Sequence, residues 1–298
     1  MSAQPLSHYT KKLIAKEPFS DDDVNGLLKA YHAVHTGSTF AEYGKYPTDK
    51  GVTSYELLAH TVQIDHHPTR IVDLACGDGP LAEILLNRFH DQIEIVALDM
   101  SEGELNAAKE RLQAFSNVQL VLGKADAIPS ESGSVDYVLC HLALFLMRPI
   151  EAVFAEVGRV LKPGGIFSAI VGQNDGIANE IASRCLAILK EVNAEYIPHF
   201  LDIGLGIKAT YTKDGLNTLA AATNCFKPPE YDDFNVIVTA TPQQHFELFS
   251  TVYAPPLLPP EGKEKLKQKL LGYLESLKDE NNQVTIYKPL RKVTIQKI

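Results

Sequence analysis

Between residues 70 and 171, short apolar runs alternate with amphipathic stretches, and this alternation constrains the fold more than any other feature of the sequence. The apolar runs predict five strands, at 70–74, 93–98, 118–122, 135–140 and 166–171. The amphipathic stretches predict helices, among them 80–90 and 151–161. Because the predicted strands are apolar almost throughout, helices are expected to cover both faces of the sheet. The pattern therefore predicts a doubly wound α/β fold with a mostly parallel sheet.

The segments on either side of this alternation extend the prediction. Residues 1–66 predict an N-terminal helical cap or lid, and residues 67–298 predict the core. Within the core, the segment at about 172–233 loses the strand and helix rhythm and is expected to be an insertion. After it come a sixth strand candidate, a helix candidate and two C-terminal strand candidates, which are 234–240, 261–278, VTIY and KVTIQKI. We expect one domain that carries a cap and an insertion.

Charge and composition exclude several classes of partner. The 298 residues carry a formal net charge of −9, and no dense stripe of Lys and Arg offers the positive footprint that a nucleic acid needs. No window approaches the roughly 20 apolar residues of a membrane-spanning helix, and the first residues lack the apolar core of a signal peptide. The four cysteines are scattered without paired spacing, which predicts reduced thiols in a cytoplasmic protein and no zinc site. His32 with His35, and His66 with His67, are expected to be surface or core histidines rather than metal ligands.

The first predicted strand runs into the stretch IVDLACGDGP, residues 71–80. A glycine turn before a helix lets a ligand approach the backbone and directs free amides towards it. Residues 77–82 also fit the G-x-G-x-x-A dinucleotide fingerprint, and Asp99 follows the second glycine by twenty residues, so a nicotinamide cofactor stays open. Two acids argue against a diphosphate, Asp73 before the glycines and Asp78 inside the turn. An acidic turn suits S-adenosylmethionine, whose near end carries an ammonium and a sulfonium and no phosphate.

Over residues 70–171 the chain resembles the class I S-adenosylmethionine-dependent methyltransferases. DLACGDG (73–79) is similar to the family's D-x-G-x-G-x-G turn, with Ala75 in place of the first glycine. Further matches follow in the family's order, at Asp99, Asp126 in KADAIP, VDYVLCHLALFL (135–146) and RVLKPGG (159–165). The resemblance implies a seven-stranded sheet with an antiparallel last strand, helices on both faces and an N-terminal helical lid.

The same resemblance implies a donor site for S-adenosylmethionine, with S-adenosylhomocysteine as the product and no metal. Asp73 would hold the methionine ammonium, and Asp99 would bind both ribose hydroxyls. Asp126 would read the adenine amino group, and Met100 would pack on the adenine face. The full set of cofactor-binding residues implied by the family is Asp73, Ala75, Cys76, Gly77, Gly79, Asp99, Met100, Asp126, Ala127 and His141.

The acceptor pocket in this family is built by the cap and by insertions after the strands. Here those segments are 40–46 and 195–211, both rich in Tyr, Phe and His, which suits a small, partly apolar or aromatic acceptor. The predicted substrate-binding residues are Tyr46, Phe145, His199, Phe200 and Tyr211. The predicted catalytic residues are His141, either as a base or as a hydrogen-bonded loop histidine, and Tyr43, whose ring would face the sulfonium.

These observations predict an enzyme that transfers a methyl group from S-adenosylmethionine to an O, N or C atom of a small molecule. Two alternatives from other classes stay open. One is an NAD(P)-dependent oxidoreductase, and the other is a catalytically silent S-adenosylmethionine-binding regulatory protein. The sequence sets neither the acceptor, nor the methylated atom, nor the oligomeric state.

Overall fold

The computed structural model describes residues 4–65, 68–175 and 179–298. Within these residues the strands are β1 (Thr69–Leu74), β2 (Ile93–Asp99), β3 (Val118–Leu122), β4 (Val135–His141), β5 (Leu161–Gly172), β6 (Glu230–Ala240) and β7 (Val284–Gln296). They form a single sheet in the order β3-β2-β1-β4-β5-β7-β6. The predicted α/β class with a seven-stranded, mostly parallel sheet is confirmed.

Strands β1 to β5 pair in parallel, whereas β7 runs antiparallel to both of its neighbours, β5 and β6. The predicted antiparallel last strand is therefore confirmed, but the two C-terminal strand candidates are one continuous strand through Pro289. Pro289 faces Asn235, whose backbone N–H donates instead to Oδ2 of Asp49 at 3.0 Å. The Asn235 carbonyl accepts from the Asp49 N–H, also at 3.0 Å. Because Asp49 satisfies these groups, the strand continues past a proline.

The helices of the described residues are α1 (Leu6–Ile14), α2 (Asp21–Val34), α3 (Ser54–Ala59), α4 (Pro80–Phe89), α5 (Glu102–Arg111), α6 (Ile150–Val160), α7 (Glu180–Tyr196), α8 (Lys213–Ala222), α9 (Pro242–Ser250) and α10 (Pro260–Glu275). They cover both faces of the sheet. Val72 of β1 is buried with Phe154 of α6, whereas its neighbour Ile71 is buried with Leu85 of α4. Burial on both faces explains why the strands are apolar throughout.

Helices α1 to α3 and a π-helical turn at Phe40–Gly44 occupy the predicted cap region. A capping box fixes the start of α2, because the Ser20 hydroxyl and the Asp23 carboxylate each accept from the other's backbone N–H. Leu13 of α1 packs in a cluster with Leu266 of α10 and with Ile286 at the start of β7. Leu58 of α3 packs in the sheet's own core. The exact boundary between cap and core, set at 66 from the sequence, stays a prediction.

The predicted gap between the helix at 151–161 and the strand at 166–171 is wrong in detail. Helix α6 ends at Val160, and β5 begins at once with Leu161 instead of at 166. The pairing of β4 with β5 changes register between Val135 and Tyr137. The proline and glycines therefore form an irregular start of the strand, with Gly164 at φ +80°.

Candidate functional site

A cleft of about 1090 Å³, counted out to solvent, runs along the carboxyl ends of β1, β2 and β4 under helix α2. It brings together most of the predicted donor-site residues, which are Asp73, Ala75, Cys76, Gly77, Asp99, Met100, Asp126 and His141. Gly79 and Ala127 do not line it. In doubly wound sheets the carboxyl ends of the strands form the ligand crevice, so the position is the expected one.

The turn after β1 has backbone angles that let a ligand come close to the main chain. Gly77 and Gly79 have φ values of +55° and +84°. Ala75, which replaces the family's first glycine, also takes a positive φ of +56°. A left-handed conformation is unfavourable for alanine, so Ala75 holds local strain at the mouth of the site. Gly79 has a packing role, because a Cβ there would lie 3.0 Å from Cδ1 of Leu112.

Asp73 is the most unusual acid in the cleft. Its side chain is buried and lines the cleft, and its Oδ2 has no hydrogen-bond partner among the described residues. Burial, reinforced by the nearby charge of Asp99, raises the pKa of Asp73 to about 7, although a backbone N–H from Ala82 opposes the shift. A buried carboxylate oxygen without a donor is costly. It fits an ammonium group on a bound ligand.

Asp99 ends β2 and is held by the backbone. Its Oδ2 accepts from the Gly77 N–H at 2.9 Å, and its Oδ1 accepts from the Ser101 N–H at 2.8 Å. Burial raises the pKa of Asp99, while these two hydrogen bonds oppose the shift. Each oxygen keeps a second lone pair, so the carboxylate can accept from two ligand hydroxyls. Met100 and Asp126 line the cleft with Asp99, as the donor-site prediction requires.

The charge of Asp78 is compensated by an arginine, whereas the sequence analysis treated it as an uncompensated charge. Its Oδ2 accepts from Nη2 of Arg111 at 2.5 Å, and its carbonyl accepts from Nε of the same arginine at 2.8 Å. Arg111 also binds Glu83 at 2.8 Å. The turn is therefore less acidic than its sequence indicates, and the case against a diphosphate rests on Asp73 alone.

Sequence reasoning missed Glu104. Ser101 and Glu104 have the spacing of a capping box, but only the Ser101 half is present, with Oγ accepting from the Glu104 N–H at 3.4 Å. The Glu104 carboxylate, which is 3% exposed, instead contacts Nδ1 of His32 at 2.9 Å and the Gly37 N–H at 3.1 Å. Glu104 and His32 both line the cleft. This acid therefore ties α2 and the following loop to the floor of the site.

His141 ends β4 with a fully packed ring. Its Nε2 lies 2.9 Å from Oγ of Ser54, and the ring stacks on Tyr55 with centroids 3.6 Å apart. Burial lowers the pKa of His141 to about 3, so the imidazole is neutral at neutral pH. A base whose pKa lies so far below the working pH accepts protons poorly. The geometry favours the hydrogen-bonded histidine over the catalytic base.

The residues predicted for the acceptor side do not line the cleft, namely Tyr43, Tyr46, Phe145, His199, Phe200 and Tyr211. Tyr43 lies under the Lys288 ammonium, 4.7 Å from its ring centroid, and Lys288 binds Glu42 at 2.7 Å. The cation facing this ring is thus a lysine of the protein itself. Tyr46 packs against the cluster around α3 and α4, and Phe200 against the cluster around α7 and α10.

The other predicted acceptor residues contact protein groups as well. The rings of Phe145 and Tyr211 pack at 5.5 Å, and His199 binds Asp202 at 3.2 Å near the surface. The aromatic residue that does reach the cleft from the C-terminal part of the chain is Tyr253. It packs on Tyr31 at 4.5 Å. No periodicity or motif marks the loop around Tyr253, so the sequence carried no signal for it.

The described residues contain neither a grouped metal site nor a helix that could span a membrane. Across 4–65, 68–175 and 179–298, no three His, Cys, Asp or Glu side chains are grouped as a metal site. His32 pairs with Glu104, whereas His66 and His67 lie outside the described residues. In the same part of the chain, no helix is both long and apolar enough to cross a membrane.

The sheet order and the glycine turn are those of the class I S-adenosylmethionine-dependent methyltransferase fold. Residues 71–165 match a family model described as a methyltransferase domain. The demethylmenaquinone methyltransferase of Staphylococcus aureus strain JH9 is 30% identical over 135 residues, 45% of this chain and 52% of that protein. The chain thus spans about half the length of the curated relatives it matches.

Solved structures agree on the fold. The cyclase SpnF superposes with a TM-score of 0.57 and 16% identity, covering 94% of this chain and 96% of its own. The YcgJ protein from Bacillus subtilis superposes with a TM-score of 0.54 and 17% identity, covering 82% of this chain and 97% of its own. At such identities the likeness shows the fold alone.

Proposed function

We propose that this protein transfers a methyl group from S-adenosylmethionine to a small-molecule acceptor. The observation that carries the proposal is the pair of carboxylates at the ends of adjacent strands, Asp73 on β1 and Asp99 on β2. Asp73 offers a buried, unpartnered oxygen for an ammonium, and Asp99 offers lone pairs for hydroxyls. The methionine and ribose parts of S-adenosylmethionine carry those groups, whereas a nicotinamide dinucleotide would bring a diphosphate.

Each donor-site residue has a defined task in this proposal. Asp73 holds the ammonium, Asp99 holds the ribose, Met100 packs on the adenine, and Asp126 accepts from its amino group. When bound, the donor supplies a methyl group that its sulfonium activates towards nucleophiles. The protein contributes alignment of the acceptor and exclusion of water, which can account for much of the acceleration. His141 acts by packing and hydrogen bonding and does not need to accept a proton.

The rest of the cleft supports a partly apolar acceptor of small size. Leu28, Tyr55, Leu146, Met147 and Tyr253 line it together with the acids. Pockets with mostly apolar walls and a few polar groups are typical of small-molecule sites. We also propose a cytoplasmic location, since all four cysteines are free thiols.

Ligand binding by purified protein tests the proposal. We would measure calorimetric affinity for S-adenosylmethionine, S-adenosylhomocysteine, NAD and NADP. We expect the two sulfur compounds to bind and the nicotinamide compounds to fail. Asp99→Ala should weaken S-adenosylhomocysteine by at least about 10- to 100-fold, since the loss of even one charge-assisted hydrogen bond removes about 1.5–3 kcal/mol. Asp91→Ala is the matched control, because Asp91 is exposed and precedes β2 at the opposite end of that strand.

Turnover separates an enzyme from a silent binding protein. Incubation with S-adenosylmethionine and small-molecule extracts should yield S-adenosylhomocysteine, and Asp99→Ala should reduce that yield. Binding without any turnover would support the regulatory alternative. Binding of NAD alone would overturn the donor assignment. Since the structural neighbour SpnF is named a cyclase, turnover has to be shown rather than inferred from the fold.

A further inference from the structure

Arg148 lines the same cleft as the donor-site acids. It lies between a 3-10 turn at Leu144–Leu146 and the start of α6, and it shares the cleft wall with Asn25 and Leu28 of α2. Its side chain is 21% exposed. Opposite the guanidinium, a Cβ at Gly204 would come within 3.3 Å of Nη2, so the glycine leaves room for it. A cationic side chain is therefore built into the wall of a cleft that also holds five acids.

Most of the hydrogen-bonding capacity of Arg148 is unused. Its Nε is buried and has no partner among the described residues. Its one ion pair there joins Nη1 to Asp21 at 3.3 Å, and the Asp21 side chain is 74% exposed. Such a long, solvated contact contributes little. Nε and Nη2 form the edge of a guanidinium that binds carboxylates and phosphates in a bidentate way, whereas the ion pair with Asp21 uses Nη1.

Two other basic side chains of the cleft, His32 and Lys124, are already paired or exposed. His32 is bound by Glu104, and Asp78 is bound by Arg111. Lys124, the remaining cation on the wall, is exposed. A buried N–H without a partner is unfavourable, and a ligand oxygen at that place would satisfy it.

We propose that Arg148 receives an anionic group, a carboxylate or a phosphate, of a molecule bound in the cleft. The inference rests on the proposed function and deepens it, because it names the chemistry of one ligand group. Two sources can supply this group. It is either an acid carried by the acceptor or the carboxylate of the donor's own methionine part.

Binding experiments on the whole chain distinguish the two sources. The variants are Arg148→Met, Arg148→Lys and the control Arg184→Met, whose arginine lies on α7 with its side chain 51% exposed. The probes are S-adenosylhomocysteine, 5′-methylthioadenosine, which lacks the amino-acid part, and inorganic phosphate and benzoate added to the S-adenosylhomocysteine-loaded protein. Thermal unfolding without ligand checks that each variant is folded. If Arg148→Met does not fold, Arg148→Lys takes its place in the binding experiments.

If Arg148 reads the donor, Arg148→Met weakens S-adenosylhomocysteine about 10- to 100-fold and leaves 5′-methylthioadenosine unchanged. If Arg148 binds an acid of the acceptor, Arg148→Met leaves the affinity for S-adenosylhomocysteine unchanged. The S-adenosylhomocysteine-loaded variant then binds phosphate or benzoate more weakly by a similar factor. In both cases the affinity of Arg148→Lys should lie between those of wild type and Arg148→Met, because lysine keeps the positive charge but cannot bind an anion in a bidentate way.

The proposal is overturned if Arg148→Met changes none of these affinities, or if Arg184→Met changes them equally. Failure of the proposed function looks different. The wild-type protein would then bind neither adenosine compound, and phosphate and benzoate added to the unloaded wild type and Arg148→Met would still report on Arg148.

Discussion

Replacing Asp73 by asparagine should make the ligand-free protein more stable at pH 8 and, at the same time, weaken its binding of S-adenosylmethionine. The asparagine side chain has the same shape and can still accept from the Ala82 N–H. It removes the charge that burial makes unfavourable. The substitution therefore separates what Asp73 costs the fold from what it contributes to the ligand.

The magnitude follows from the pKa of Asp73. An acid that titrates at 3.8 when unfolded and at about 7 when folded keeps its proton longer in the folded state. The resulting destabilisation is absent below about pH 4, grows as the pH rises, and is complete above about pH 7. At about 1.36 kcal/mol per pKa unit, it amounts to about 4 kcal/mol. Water that enters the open cleft reduces this value, so we expect about 1–3 kcal/mol.

Thermal and urea unfolding at pH 5 and pH 8 provide the assay. The gain in unfolding free energy of Asp73→Asn over wild type should be larger at pH 8 than at pH 5. The exposed control Asp91→Asn should show no such difference. Titration with S-adenosylmethionine at pH 8 should show an affinity loss of at least tenfold for Asp73→Asn. An equal stability change at both pH values, or unchanged donor affinity, would refute the reasoning.

Three further predictions concern neighbouring features. Ala75→Gly should raise the unfolding free energy in urea by about 0.5–1 kcal/mol, since relief of a left-handed alanine exceeds the entropy cost of glycine; destabilisation would contradict the strain. Glu104→Ala should speed amide exchange in residues 21–37 roughly tenfold and leave β1 unchanged, because the Gly37 N–H and His32 lose their partner; equal protection would show that α2 is held otherwise. The His141 ring signals, assigned with His141→Gln, should not shift between pH 5 and 8, because burial lowers the pKa to about 3; a midpoint near 6.5 would contradict the packing described for this ring.

The meeting of Asp73 and Asp99 in one cleft could be predicted because it depends on local patterns. A strand end followed by glycines places Asp73, and the end of the next strand places Asp99. In a parallel sheet the carboxyl ends of adjacent strands lie at one edge, so the two acids come together however the rest of the chain packs.

The remaining contacts depend on how distant elements pack, which local patterns do not encode. Ser101 and Glu104 have the spacing of a capping box, yet the Glu104 carboxylate turns to His32, 72 residues away. The charge of Asp78 depends on Arg111, 33 residues away. The predicted acceptor aromatics were chosen by composition alone, and composition does not tell a cavity wall from a packed core.

The position of β7 bears on how the protein is made. It is the last strand along the chain, yet it lies between β5 and β6, and the other edge of β6 carries an isolated bridge from Val236 to Thr48 instead of a strand. While a ribosome is still adding residues 284–296, both older strands present open edges. Open edges are templates for pairing between chains, and slow long-range pairing prolongs that exposure. We therefore expect nascent chains to need protection from aggregation late in synthesis, until β7 is inserted between β5 and β6.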